Sequence, residues 1–479
     1  MRTTVAILAL LLAGCATAPE LRQPELEVPA MYKEAQALPP EERGRWEEAK
    51  PGEHLDRGEW WRVFNDPVLD SLEEQAARAN QNLKAAAARV AQARAIAGIA
   101  RADRWPQLDV GFGPSRTRPS PVAAGLPQGA DVPTTTAWRA LASVSYEVDL
   151  FGRVANSVNA AESDAQAAEA TYRSVLLALQ ADVASFYFAL RQTDAELVVL
   201  RDTVRLREEN VALVQRRFDA GDISELDLAQ AKTELATTRS EAVGLERTRA
   251  EFEHTLAVLV GSSPAAFNLP AAPLAATAVP PAIPPGLPSA LLERRPDIAA
   301  AQRTMAAANA RIGVARSAFF PSLVLTGFGG YESEDLSDLF RWSSRTWLLG
   351  PLFLTMLNQT VFDGGRRQAG LERSEAALEE SVADYRQRVL VAFGEVEDSL
   401  AALRVLAAQA RDQEDAVVSS RRAAHISRSR YEAGMVSYVE VIETQRSLLT
   451  AQRQATQIRG AREIRTVALV RALGGGWVD

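Results

Sequence analysis

Cysteine is nearly absent: Cys15 is the only one in 479 residues, so no disulfide can form within the chain. Histidine is scarce as well. His54, His254 and His425 stand far apart, with no partner at metal-ligand spacing. There is no Gly-x-Ser-x-Gly nucleophile motif and no phosphate-binding loop; Asp363-Gly364-Gly365-Arg366-Arg367 reads as a turn entering a helix. Neither enzymatic activity nor a resident cofactor or metal is expected. No basic block stands out, and the net charge of −8 argues against nucleic acid as a partner. Aromatics make up only 6% against 47% hydrophobic residues. Abundant Ala, Leu, Val, Glu and Arg point instead to long helices. After the N-terminus there is no run of 18 apolar residues, so no transmembrane helix is expected. A chain built this way can cross a bilayer only as a closed β-barrel.

What is present begins with MRTTVAILALLLAGCATAPE. Arg2 and the apolar run Val5–Leu12 read as a secretory signal over residues 1–14, too short to span a bilayer. Leu12-Ala13-Gly14-Cys15 resembles the bacterial lipobox, which implies that Cys15 becomes the lipidated first residue of the mature chain. Several acyl chains on one residue hold a protein firmly on a membrane. Asp does not follow Cys15, which by the same resemblance favours the outer membrane. Residues 15–65 are then an acylated periplasmic segment.

The sequence also contains itself twice. RRFDAGDISELDLAQAK (216–232) parallels SRYEAGMVSYVEVIETQ (429–445) at an offset of 213. AVLVG ending at Gly261 and VRALG ending at Gly474 share that offset, as do VDLFGR ending at Arg153 and FDGGR ending at Arg366. ADRWPQL and SAFFPSL repeat at 215. Copy one spans 66–261 and copy two 287–474, separated by a proline-rich linker at 262–286 and followed by a short tail at 475–479.

Each copy predicts helix, two strands, long helix, tight turn and helix. Residues 66–104 are Ala-rich and helical, stopping at Trp105-Pro106. LDVGFG (108–113) and ALASVSYEVDL (140–150) alternate as half-greasy strands, and copy two places strands near 322–331 and 351–362. From Val154 to Phe218, 19 positions spaced by three and four form a seam, broken only by Thr193 and Arg207. One four-four step, Leu179–Val183, is a stutter that relaxes the supercoil. A helix of that length runs roughly 100 Å and must pack sideways against neighbours. Gly221 and Gly434 end the long helices as C-caps, with Ser224 and Ser437 as N-caps of the returning ones. Phe218 and Tyr431, just before each turn, read as seam residues. Beyond the second turn, Glu440 and Glu443 share one helix face with Val439 beside them. On spacing alone they are a solvated stripe, an ion-pair ladder, or acids facing something that passes. Arg446, one turn past Glu443, is placed to pair with it, either as a contact that holds a closed state or as a plain i,i+3 surface pair.

LPSALLERRPDIAAAQ (287–302), ARSAFFPSLVLTGFGGY (315–331), VFDGGRR (361–367) and RYEAG (430–434) together resemble the TolC-like outer-membrane efflux proteins, in their acylated-lipoprotein branch. The resemblance covers nearly the whole mature chain. It implies a mainly α fold with transmembrane β: a tandem-repeat protomer giving four strands to a trimeric 12-stranded β-barrel and long coiled-coil helices to a periplasmic α-barrel. The segments 114–137 and 332–347 would be external loops. The function implied is a passive exit duct of a tripartite efflux pump. It would pass drugs or other small solutes from an inner-membrane pump and a periplasmic adaptor to the exterior of a Gram-negative cell, anchored in outer-membrane lipid. The resemblance places Val439, Glu440, Glu443 and Arg446 at a pore gate, and Gly221, Gly434, Phe218 and Tyr431 at adaptor-docking tips. The other readings are a periplasmic adaptor lipoprotein with one coiled-coil hairpin, the outer-membrane duct of a protein secretion system, and a purely structural coiled coil. The last leaves strand 140–150 unexplained.

Overall fold

A computed structural model describes residues 58–275, 288–350 and 357–475, with short pieces of 18–34 and of 280–283. The signal-like segment, Cys15 and residues 476–479 lie outside them. In chain order the elements are α1 (Pro67–Ala79), α2 (Gln81–Ala102), β1 (Gln107–Thr117), β2 (Thr135–Val148), α3 (Arg153–Asp219) and α4 (Glu225–Leu259). They continue with α5 (Pro288–Arg294), α6 (Pro296–Ser317), β3 (Ser322–Ser333), β4 (Arg345–Leu349), β5 (Leu357–Asn358), α7 (Arg366–Glu432) and α8 (Tyr438–Ala472). The internal repeat is visible as equal lengths. α3 and α7 have 67 residues each, and α4 and α8 have 35 each.

Contacts divide the chain into two units. A sheet unit holds Val90–Ala168 and Ala301–Tyr385; a helical unit holds Glu25–Arg89, Glu169–Ala300 and Arg386–Asp479.

In the sheet unit the strands are antiparallel in the order β1-β2-β3-β4, and β5 pairs with β3. Cross-strand partners share a face. The rows Leu108–Val144–Gly327–Leu349 and Val110–Ala142–Gly329–Trp347 make that face apolar. It is also bare: Trp347 is 73% and Leu349 80% exposed. The opposite face carries Gln107, Asp109, Ser143, Ser145, Thr326 and the ion pair Arg139–Glu332 at 3.1 Å. β1 and β4 leave both edges of the sheet unpaired, which a stable sheet does not leave open in lipid.

The repeated Asp-Gly-Arg signature re-aims the chain from strand to helix. Asp149 accepts the first amides of α3, Val154 N–H at 3.1 Å and Ala155 N–H at 2.7 Å. Arg153 grips Glu147 through two bonds of 2.6 and 2.7 Å. In copy two, Asp363 accepts from Gly365 N–H and Arg367 N–H at 3.1 Å each and from Arg367 Nε at 2.7 Å.

Three boundaries differ from expectation. The Ala-rich stretch 66–104 is two helices, because Asn80 caps α2 through Leu83 N–H at 2.9 Å while its Nδ2 donates to Leu259 O at 2.9 Å. β1 runs on through Pro114 to Thr117, so the first external loop is 118–134 rather than 114–137; an edge strand tolerates the proline. The last strand, expected at 351–362, starts at Arg345 and reappears at Leu357–Asn358, both pieces on the same side of β3. Residues 351–356 lie outside the described set.

In the helical unit the α3 seam is buried at Leu179, Val183, Leu190, Leu197, Leu200 and Val214, and so are its two polar interruptions. Thr193 Oγ1 donates back to Ala189 O at 2.8 Å, which satisfies the hydroxyl inside the seam. One 18-residue window of α3 is apolar enough by composition to cross a membrane, but nearly half of it is buried within the chain. The RRPD stretch forms an ionic knot: Arg295 meets Asp297 at 3.0 and 2.8 Å, Glu395 at 2.5 Å and Ala472 O at 3.0 Å. Burial works against ionisation of Asp297, but Arg295 outweighs it and holds the carboxyl below its usual range. The knot ties the α5–α6 junction to α7 and to the end of α8. Farther toward the N-terminus, Glu397 accepts the amides of Lys33 and Glu34 at 2.7 and 3.0 Å, fixing the leading segment on α7.

α8 also buries Glu463. Desolvation pushes its carboxyl up to about 7, against an opposing pull from Arg462. Above its ordinary value of 4.5 the unfolded chain has released this proton while the folded chain keeps it, so stability falls as pH rises from 4.5 to about 7. Glu463→Gln is expected to raise the melting temperature at pH 8, by the equivalent of at most about 3 kcal/mol, and to leave it unchanged at pH 4. Thermal melts of the detergent-purified protein at the two pH values check this.

Candidate functional site

Both helical hairpins turn within the helical unit, and their ends are built alike. Gly221 (φ +80°) and Gly434 (φ +73°) sit in the left-handed region that side chains with a Cβ avoid. Beside them, Asp222 N–H donates to Arg217 O and Met435 N–H to Arg430 O, both at 2.9 Å, closing the last turn of each long helix. Gly434→Val should loosen this turn by about 1–2 kcal/mol, and Gly434→Asn by much less. Hydrogen exchange of the Met435 amide measures the difference.

The returning helices start differently. Ser224 N–H and Oγ both donate to Asp227 Oδ2, at 3.3 and 3.0 Å, a closed cap on α4. At the matching place on α8, Glu440 lies 3.6 Å from Arg430 across the turn instead.

Under the turns lies one apolar cluster: Val214, Leu228, Ala231, Tyr431, Tyr438, Val441 and Ile442, with Phe218 packed on its flank. Tyr431 is only 5% exposed; its ring lies 5.3 Å from Tyr438 and 4.8 Å from the Arg217 guanidinium. Tyr431 thus packs as the seam residue its place before the turn predicts, an internal strut on the helix face that joins the two hairpins. Phe218 is partly buried on the same cluster. Gly221 and Gly434 remain at the exposed ends.

Val439 and Glu443 stand on the free face of α8, and Glu440 is half-buried. Arg446 shares that face but does not close onto Glu443. It reaches α4, donating through Nε to Glu234 Oε1 at 3.1 Å and through Nη2 to the same oxygen. The pairing expected within α8 is thus a pairing between hairpins. Glu234 raises the Arg446 pKa by direct hydrogen bonding, and Glu443 adds to it at longer range.

Glu234 is the residue the sequence reading missed. It is buried and also binds Arg207, whose Nη2 lies 3.0 Å from Glu234 Oε2 and whose Nη1 donates to Glu234 O at 2.7 Å. Burial pulls the Arg207 pKa down while Glu234 supports the charge. One carboxylate therefore locks three helices, α3, α4 and α8. A second rung follows seven residues on, where Arg453 meets Glu241 at 3.0 Å and Glu196 at 2.9 Å. On the turn side of the first rung, buried Asn210 Nδ2 donates to Gln445 Oε1 at 3.0 Å. Two signals existed in the sequence: Arg207 as a charged seam position, and the heptad offset shared by Glu234/Glu241 and Arg446/Arg453. Such a ladder can hold two hairpins together until charge or a docking partner parts them.

The sequence profile for outer membrane efflux proteins matches residues 72–262 and 287–475, both copies of the repeat. The chain belongs to the outer membrane efflux protein family. It is 34% identical over 482 residues to the toluene efflux pump outer membrane protein TtgC of Pseudomonas putida, covering 99% of this chain and 96% of that one. It is 33% identical over 472 residues to the cation efflux system protein CusC of Escherichia coli, covering 98% and 97%. Among solved structures, the Campylobacter jejuni CmeC outer membrane channel superposes with a TM-score of 0.88 at 25% identity, over 97% of this chain and 95% of that one. The fold is that of an outer-membrane efflux channel. The adaptor and structural coiled-coil readings fall away, because the family match covers both copies, strands included.

Proposed function

We infer that three copies close into one 12-stranded barrel and form the passive exit duct of a tripartite pump, receiving small solutes from an inner-membrane pump through a periplasmic adaptor. The observation that carries this reading is the sheet: one bare apolar face, one polar face and two open edges, a piece that lipid tolerates only inside a closed barrel. Energy for transport comes from the pump. The exposed ends at Gly221 and Gly434 are the docking tips. An acyl group on Cys15 anchors the chain in outer-membrane lipid.

The gate lies just past the second turn. Threefold symmetry turns Glu440 and Glu443 into rings of three carboxylates each, beside an apolar ring of Val439. At about 8 Å separation each pair repels by roughly 0.5 kcal/mol in water and about 2 at intermediate dielectric, enough to favour cations. Opening separates the hairpins and breaks the Arg446–Glu234 rung. Single-channel recording of the Glu440→Ala/Glu443→Ala protein in planar bilayers tests this. Cation selectivity should drop several-fold with the protein still trimeric; unchanged selectivity and conductance would remove both residues from the gate.

A further inference from the structure

The apolar face of the sheet ends in two arginines that have no carboxylate. Moving outward along that face, the row Phe112–Ala140–Tyr331–Arg345 is followed by Pro114–Trp138–Ser333 and then by Arg116–Thr136. Arg116 and Arg345 thus lie on the lipid side, one on each open edge, at the ends of the strands away from α2 and α3. Both are exposed, and neither has an ion-pair partner among the described residues. Their neighbours at the rim are all matched: Arg118 with Asp131 at 3.1 Å, Arg341 with Asp338 at 3.0 Å, and Arg139, on the polar face, with Glu332 at 3.1 Å. Glu334 and Asp335 lie past the last paired residue of β3.

An unmatched guanidinium at the border of hydrocarbon calls for an anion, and its planar fork fits phosphate through two parallel bonds. The surroundings suit the boundary between headgroup and acyl chain. Phe340, Trp342 and Trp347 are exposed around Arg345, whose Nε donates to Trp342 O at 3.3 Å and whose guanidinium lies over the Trp342 ring. We propose that Arg116 and Arg345 clamp the phosphate of an outer-leaflet lipid headgroup. The site rests on the trimeric reading, because closure sets β1 of one copy beside β4 of the next. Adjacent strands lie about 4.8 Å apart across a seam, and the Arg345 and Arg116 rows stand four residues, about 13 Å, apart along the strands, so the pair flanks one lipid headgroup region at each of three seams. The aromatic side chains take the acyl portion and the arginines the phosphate.

Native mass spectrometry of the full detergent-purified protein reads both levels at once. The wild type should appear as a trimer and retain up to three molecules of diphosphorylated lipid A. Dephosphorylated lipid A should bind at least about tenfold less well, since each lost charge-assisted contact is worth about that factor. Arg116→Gln/Arg345→Gln should bring diphosphorylated lipid A down to the same level, with Arg341→Gln unchanged and heat-modifiable migration showing an intact barrel in each variant. A trimer that binds both lipids equally, or a double variant that binds as the wild type does, overturns the clamp. Displacement by millimolar inorganic phosphate alone also overturns it, since the site would then select phosphate rather than lipid. A protein that is never trimeric overturns the trimeric reading instead.

Discussion

Glu234→Ala is expected to unlock the hairpin ends and to cost about 3–5 kcal/mol, whereas Arg446→Ala costs less than about 1. The asymmetry comes from burial. Removing Glu234 strands the Arg207 guanidinium, which is 5% exposed and already loses stability to desolvation. Removing Arg446 takes away a side chain that is 57% exposed, where water screens the pair. In planar bilayers Glu234→Ala should raise channel opening strongly, and Arg446→Ala only modestly and less so at high salt. Glu234→Ala/Arg207→Leu provides the control: with both charges gone the desolvation penalty goes too, and much of the stability should return. Thermal melts together with single-channel recordings of the four proteins decide it. Equal effects from Arg446→Ala and Glu234→Ala would mean that the exposed rung, not the buried one, holds the ends.

The second large effect is expected at Arg295. Arg295→Ala removes bonds to Asp297, Glu395 and Ala472 O at once, from a residue that is itself buried. A loss of about 3–5 kcal/mol follows, seen as loss of the heat-modifiable folded species on gels. Arg295→Lys should rescue little, because an ammonium cannot make the paired fork to Asp297 while also reaching Glu395 and the end of α8. The pH dependence has a fixed sign. The Asp297 carboxyl is held below its ordinary 3.8, so its contribution is complete at neutral pH and lost only as pH falls below that value. Asp297→Asn should therefore destabilise at pH 7 and progressively less toward pH 3. Full recovery of folding in Arg295→Lys would show that charge alone, without the fork, secures the knot.

Much of the architecture was legible because it is periodic. A repeat at offset 213 implies two copies of one unit, and they appear as helices of 67 and 35 residues in each copy. The alternation in 140–150 and the seam from Val154 to Phe218 are signals long enough to survive local exceptions. Single residues that act across space were not legible. Asn80 splits an Ala-rich helix because Leu259 O, 179 positions away, accepts from its side chain. The last strand lacks clean alternation, so its start at Arg345 follows from pairing with Tyr331 and not from its own pattern.

The candidate site divides in the same way. Local sequence determined the turns at Gly221 and Gly434, since a positive φ needs glycine, and it determined that Glu440 and Glu443 share a helix face. Only the tertiary structure decided the partner of Arg446. Spacing offers Glu443 one turn away, but α4 brings a buried carboxylate already committed to Arg207, and a desolvated partner binds more strongly than an exposed one. Tyr431 was decided likewise, since its place beside the turn is local while its burial depends on both hairpins. Sequence periodicity sets which faces are apolar and where the chain reverses; which charges meet is set by the packing that removes water from one of them.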